Sequence, residues 1–271
     1  MQNALVLPLP ALMAVVPVLF LFGGCGLPSI PVLEAPVNPG ISTIDSPGLQ
    51  ILTFDHNRNN DFDDFKGYDL YYKLYPPAGS VVDSSISGDE SYIETVPKDT
   101  GPGRLQERGF MRLVPVTNRA GDPESILSTI EGDSIPSIPF AATDEEITFS
   151  LDLREPPNRP DGSVDRDAEE ADLVVSWGDG GTSARGFRRR SATGSSSQPT
   201  AYFDGFWYGP GYDLNDYDIS RMFGSSFDLD AFNNQITLVI YAVTYGVDTD
   251  FQPYYSEPLR LREATIVVSD S

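Results

Sequence analysis

Two aromatic segments dominate what this chain can fold into: GYDLYYKLY at residues 67–75 and QITLVIYAVTYG at residues 235–246. Both are rich in β-branched and aromatic side chains, and the first nearly alternates, as a strand with a covered face does. Pro76 and Pro77 stop it. Neither segment is stable alone, so each needs sheet neighbours. Shorter strand candidates are LQILTF (49–54), SYIETV (91–96), FMRLVPV (110–116), ITFSLDL (147–153), DLVVSW (172–177) and LRLREATIVVS (259–269). Helix signals are confined to PESILSTIEG (123–132) and DLDAFNN (228–234), about two turns each. Short strands separated by Gly, Pro, Asp and Asn turns predict an all-β, antiparallel fold. Residues 67–75 and 236–245 are expected to pair within one sheet.

The connections are unusually long. Residues 155–171 and 178–200 have loop-like or disordered composition, and connections of that length are uncommon inside compact domains. They read as insertions, with RGFRRRS (185–191) as an exposed basic spot or a soluble loop tip. GYDL occurs at 67 and again at 211 without matching flanks, so it marks no repeat. Asp and Glu number 40 against 18 Lys and Arg, for a net charge of −22. That balance disfavours nucleic acid and anionic lipid head groups and suits cations or basic peptides. With 15 Phe, 13 Tyr and two Trp, the chain carries enough apolar surface to pack.

Ala11 to Phe22 contains no polar side chain, and Gly23-Gly24-Cys25 follows, the outline of an export signal. The uncharged run from Leu5 to Gly24 is nominally long enough to span a bilayer core. Pro8, Pro10 and Pro17 interrupt it, and a Pro- and Gly-rich tail follows instead of a basic stop-transfer cluster. The stretch resembles a bacterial lipobox. That resemblance implies cleavage before Cys25 and diacylation of its sulfur, giving a signal peptide at 1–24 and a tether at 25–35. Phe22 stands where the common pattern has Leu, and residues 1–12 lack the usual Lys or Arg. An ordinary secretory signal is the alternative. Cys25 is the single cysteine, so no disulfide within one chain can staple the fold.

FKGYDLYYKLYPP resembles the third strand of a fibronectin type III domain. Residues 236–268, with Tyr241-Ala242-Val243 and Ser256-Glu257-Pro258, resemble its last two strands. LQILTF and PSIPVLEAPV would then be the second and first. The resemblance implies an immunoglobulin-like, fibronectin type III-like antiparallel sandwich with a large, partly disordered insertion. The sandwich would be discontinuous, formed by 28–77 and 235–269, and 78–234 would be an elaborated insertion with extra strands and long polar loops. The whole chain also resembles outer-envelope lipoproteins of spirochaetes, which carries no activity with it.

Chemistry-bearing residues are few. His56 is the sole histidine, which excludes His-based triads and multi-histidine metal sites within one chain. Asp99-Thr100-Gly101 spells the aspartic-protease triplet but reads as a turn beside Pro97 and Pro102. VSWGDGGT (175–182) reads as a strand and tight turn. No Ser sits in a nucleophile-elbow context, and no phosphate-binding Gly loop is present. The aromatics Tyr202, Phe203, Phe206, Trp207 and Tyr208 could stack on a sugar ring as a ligand platform, or pack the insertion onto the sandwich.

The densest oxygen cluster is DHNRNNDFDD (55–64). Asp55, Asn57, Asn59, Asp61 and Asp63 place oxygen-bearing side chains at every second position, as the first half of a calcium loop does. The sixth position is Asn60 rather than Gly, and the twelfth is Lys66 rather than Glu, so it is not an EF-hand. In a sandwich, Asp248 and Asp250 of the loop after residue 246 would emerge at the same end and complete a Ca2+ site. A solvated Asx-rich turn has the same composition.

Two functional expectations follow. One is a noncatalytic module, lipid-anchored to the membrane (outer rather than inner), that binds envelope protein or glycan or plays a structural role. The other is a carbohydrate hydrolase using two carboxylates, with Trp207 beside its cleft.

Overall fold

The structure, a computed structural model, describes residues 32–42, 50–77, 80–95, 102–115, 136–154, 171–178, 183–189, 212, 219 and 233–268. The chain divides into Met1–Val32 and Leu33–Ser271; the elements below belong to the second unit. Its strands, among the described residues, are β1 (Val37–Ser42), β2 (Ile51–Asp55), β3 (Phe65–Tyr75), β4 (Met111–Arg112), β5 (Val114–Pro115), β6 (Ile138–Pro139), β7 (Thr148–Asp152), β8 (Leu173–Trp177), β9 (Ser183–Arg188), β10 (Gln235–Val247), β11 (Pro253–Tyr255), β12 (Leu259–Arg260) and β13 (Ala264–Val267). Among the described residues, helices α1 (Ser80–Thr95) and α2 (Gly103–Glu107) accompany them.

The strands form two antiparallel sheets. The first has the order β1-β2-β7-β8-β9-β5. The second is built on β3 and β10, which pair from Thr237 opposite Tyr75 to Tyr245 opposite Gly67. This is the pairing expected from the sequence. Short strands complete its edges: β4 and β6 on β3, and β11, β12 and β13 on β10. Fragmented edges leave little continuous backbone for another chain to pair with.

Alternation along the strands assembles the core. Leu52 and Phe54 of β2, Phe149 and Leu151 of β7, and Leu173 and Val175 of β8 face Tyr68, Leu70 and Tyr72 of β3 and Leu238 and Ile240 of β10 in one buried cluster. At its centre Phe54 stacks on Phe149, with centroids 4.8 Å apart. Tyr68 meets both edge-on at 5.3 and 5.1 Å. The opposite face of the second sheet is covered as well. Tyr71, Tyr75, Val239, Tyr241 and Val243 pack against Ile86 and Ile93 of α1, Leu105 of α2, and Phe110. Lys73 and Tyr75 also hold Asp89 of α1 at 2.5 and 2.8 Å. Burial on both faces explains why β10 is a continuous apolar run rather than an alternating one.

Several expectations are corrected. SYIETV is no strand: residues 91–95 end α1, whose Ile86 and Ile93, seven apart and so on one helical face, pack onto the second sheet. FMRLVPV divides between the sheets. β4 pairs with β3 and β5 with β9, while the buried Leu113 between them donates its N–H to the Leu70 carbonyl at 2.8 Å. The first strand is β1, shifted past PSIPVLEAPV, of which only Val37 belongs to it. DLDAFNN does not end as a helix, because Asn233 and Asn234 both have left-handed φ near 56°.

The basic spot RGFRRRS is corrected in part. Ser183–Arg188 is β9, Phe187 is fully buried, and Arg189 is buried beside Asp172. Strands β4 to β9, from within residues 78–234, join the two sheets.

Candidate functional site

The two acidic loops do meet at one end of the sandwich. Gly246 lies opposite Phe65, and the Val247 N–H donates to the Asp64 carbonyl at 2.9 Å. Their side chains, however, are largely engaged within the protein. Asp55 accepts from Asn38 Nδ2 at 2.9 Å and from Thr148 Oγ1 at 2.6 Å, tying β1 and β7 to the end of β2. Asn57 caps a 3-10 turn at Arg58–Asn60, accepting from the Asn59 N–H, and donates to the Ala35 carbonyl at 2.9 Å.

Asn60, which sequence reasoning passed over, is fully buried and bonds both the N–H and the carbonyl of Glu34 at 2.8 and 2.9 Å. Thr244 Oγ1 also donates to that carbonyl. The Asx-rich loop therefore clamps Glu34 and Ala35. A 3-10 turn at Arg58–Asn60 lies within the run of alternate oxygen-bearing residues. Asn59, Asp61 and Asp63 are exposed. Among the described residues no three His, Cys, Asp or Glu side chains gather closely enough to hold a metal ion.

Across from this loop, β10 and β11 are joined by a hairpin closed by Asp248. Its carboxylate accepts from the Asp250 and Gln252 N–H groups at 2.9 and 2.8 Å, and its backbone bonds Gln252 and Phe251 at 3.0 Å each. Asp250 is exposed. Phe251 sits at φ 60°, and its ring is 85% exposed. It is the one exposed aromatic ring among the described residues. Burying such a ring is worth about 1.5–3 kcal/mol.

An open groove of about 510 Å³ lies between the two loops, lined by Asp63, Asp64, Lys66, Pro136, Pro139, Val247, Asp248 and Phe251. Lys66 Nζ donates to the Asp63 carbonyl at 2.5 Å. Tyr254 donates to Asp64 at 3.3 Å, and burial and that carboxylate together push its phenol above its usual pKa. Asp63 and Asp248 are the sequence candidates that this groove brings together. Asp64 and Phe251 had not been singled out; a Phe between Asp250 and Gln252, outside any alternating run, was the available signal.

The remaining polar chemistry of the interior holds the fold together. Asp69 accepts from Arg112 Nε and Nη2 at 3.1 and 2.7 Å and from the Ser137 N–H at 2.7 Å. Asp172 accepts from the Arg189 N–H at 2.6 Å, and the Arg189 guanidinium lies 4.3 Å from the centre of the Tyr212 ring. Arg104 bonds the Ile93 carbonyl and Glu257. His56 is buried with both ring nitrogens engaged. Nε2 faces the Thr143 carbonyl at 3.0 Å, which makes it the donor and leaves Nδ1 to accept from Tyr68.

Cys25 and the aromatics Tyr202, Phe203, Phe206, Trp207 and Tyr208 lie outside the described residues. Among those described, no helix is long and apolar enough to cross a membrane. No family model, curated protein or solved structure matches the chain.

Proposed function

We propose that this chain is a noncatalytic, lipid-anchored envelope or surface module whose sandwich binds a partner, protein or glycan, outside the cytoplasm. The observation that carries the reading is the use to which buried polar groups are put. Asp69, Arg104, Asp172, Arg189 and His56 each hold a backbone group or an opposing side chain. Solvent is met instead by loops and by the open groove at one end. Placing such groups in structural bonds leaves the sandwich a scaffold, and scaffolds of this kind carry their function on loops.

The fibronectin type III-like reading is supported by strand order. In immunoglobulin-like sandwiches the first, second and fifth strands share one sheet, and the third, sixth and seventh share the other. Here β1, β2 and β7 are neighbours in one sheet, and β3, β10 and the broken edge β11–β13 are neighbours in the other. β8, β9 and β5 extend the first sheet beyond that plan.

Anchoring rests on Cys25 following the apolar run and Gly23-Gly24. Cys25→Ser should abolish lipid labelling and move the protein to the soluble fraction. Unchanged membrane attachment in that variant contradicts the anchor. Two or more acyl chains on the Cys give the stable attachment that one chain does not.

A further inference from the structure

We propose that the groove between Asp63–Lys66 and the Asp248–Gln252 hairpin docks a basic, apolar-flanked segment of a partner protein. The proposal rests on the reading of the chain as a binding module and names the chemistry of its partner. Three features converge. The groove's apolar lining is Pro136, Pro139 and Val247. Phe251, also in the lining, is exposed on a hairpin backbone fixed by four hydrogen bonds to Asp248. A preordered contact of this kind loses little freedom when a ligand arrives. Central aromatic anchors ringed by polar groups are the usual energetic centre of protein interfaces.

Charge then selects the occupant. Among the described lining residues three carboxylates, Asp63, Asp64 and Asp248, outnumber one cation, Lys66, which is held on the Asp63 carbonyl. Residues 116–135 precede Pro136 directly in the chain, but Asp122, Glu124, Glu131 and Asp133 outweigh Arg119 there. That segment has the wrong sign for the groove. A second copy of the chain, with net charge −22, is likewise repelled. A segment from another protein, presenting Lys or Arg between aliphatic or aromatic residues, answers both the acidic and the apolar lining.

The test uses the full chain in detergent micelles, near 150 mM salt so that diffuse attraction is screened. An amidated peptide alternating Lys and Leu is titrated in, beside hexalysine and a Glu–Leu counterpart. The expected result is binding of the Lys–Leu peptide, with amide shifts confined to residues 63–66 and 247–252. Phe251→Ser and hexalysine should each weaken binding by about tenfold or more. Phe251 is exposed, so its replacement leaves the core intact.

Equal binding by hexalysine, insensitivity to Phe251→Ser, equal binding of the Glu–Leu peptide, or no binding overturns the proposal. So does concentration-dependent self-association that occupies the same residues. The titration does not depend on lipid at Cys25, so its failure is distinct from a failure of the anchor.

Discussion

Nδ1 of His56 lies 2.5 Å from the hydroxyl of Tyr68. Because Nε2 donates to the Thr143 carbonyl, the neutral imidazole carries its proton on Nε2 and accepts from Tyr68 at Nδ1. The ring is enclosed by Phe65, Phe140 and Tyr68, with centroids 5.3, 5.3 and 6.1 Å away. A second ring proton, on Nδ1, requires the Tyr68 hydroxyl to turn from donor to acceptor.

A pH dependence follows. Burial lowers the pKa of His56 below its ordinary 6.5, outweighing the opposing effects of the Thr143 carbonyl and the charge of Asp61. Between the folded and unfolded values the unfolded chain binds the extra proton, so stability falls as pH drops below 6.5 and levels off beneath the folded value. Urea unfolding at about pH 7.5 and about pH 5.5 should show a larger loss for the parent than for His56→Gln. Equal losses would mean that His56 is not the group responsible.

The aromatic centre predicts the cost of its removal. Phe149 is fully buried and packs on Phe54, Tyr68, Phe140 and Trp177 at 4.8–5.8 Å. Phe149→Ala should destabilise the sandwich by about 3–5 kcal/mol, read from denaturant midpoints. A loss below about 1 kcal/mol would show that the two sheets do not pack through this ring.

The Asp69–Arg112 pair makes a prediction of a different kind. Removing Arg112 leaves a buried carboxylate without its cation, so Arg112→Ala should cost about 3–5 kcal/mol. Replacing both residues, Asp69→Leu with Arg112→Met, should cost less than the single change. A double variant worse than Arg112→Ala would argue that the pair does more than neutralise itself.

Two glycines should respond with opposite sign. At Gly67 φ is +142°, and an added Cβ would sit 2.0 Å from the Ile138 carbonyl oxygen, where β6 joins β3. Gly67→Ala should lose at least ~2 kcal/mol. Gly88, exposed in α1 with nothing within 4 Å of its Cβ position, should gain about 0.5–1 kcal/mol as Ala. Thermal melting of both variants separates a crowded, left-handed backbone from an ordinary helical one.

What could be read from the sequence tracks how completely packing dictates each side chain. β3 and β10 are covered on both faces, so nearly every position is constrained, and both emerge at their expected places. α1 was missed because SVVDSSISGDESYIET mixes poor helix formers with a β-branched end. Tertiary contacts of Ile86 and Ile93, rather than propensity, make it a helix. β9 is hidden in a stretch of loop-like composition, and the partner that buries Arg189 beside its end, Asp172, is distant in sequence but close in space.

At the candidate site, the meeting of the 55–64 and 246–255 loops was legible from strand order. The roles of Asn57 and Asn60 were not. Their partners, Ala35 and Glu34, lie some twenty residues upstream, and nothing local distinguishes a clamping Asn from a solvated one.

The central claim, an exported module held to a membrane through Cys25, is tested most directly by mass spectrometry of the mature N-terminal peptide from the native host. The expected mature chain begins at Cys25, with a diacylglyceryl group on its sulfur. A mature chain that retains residues 1–24, begins at another position, or carries an unmodified Cys25 thiol would contradict it.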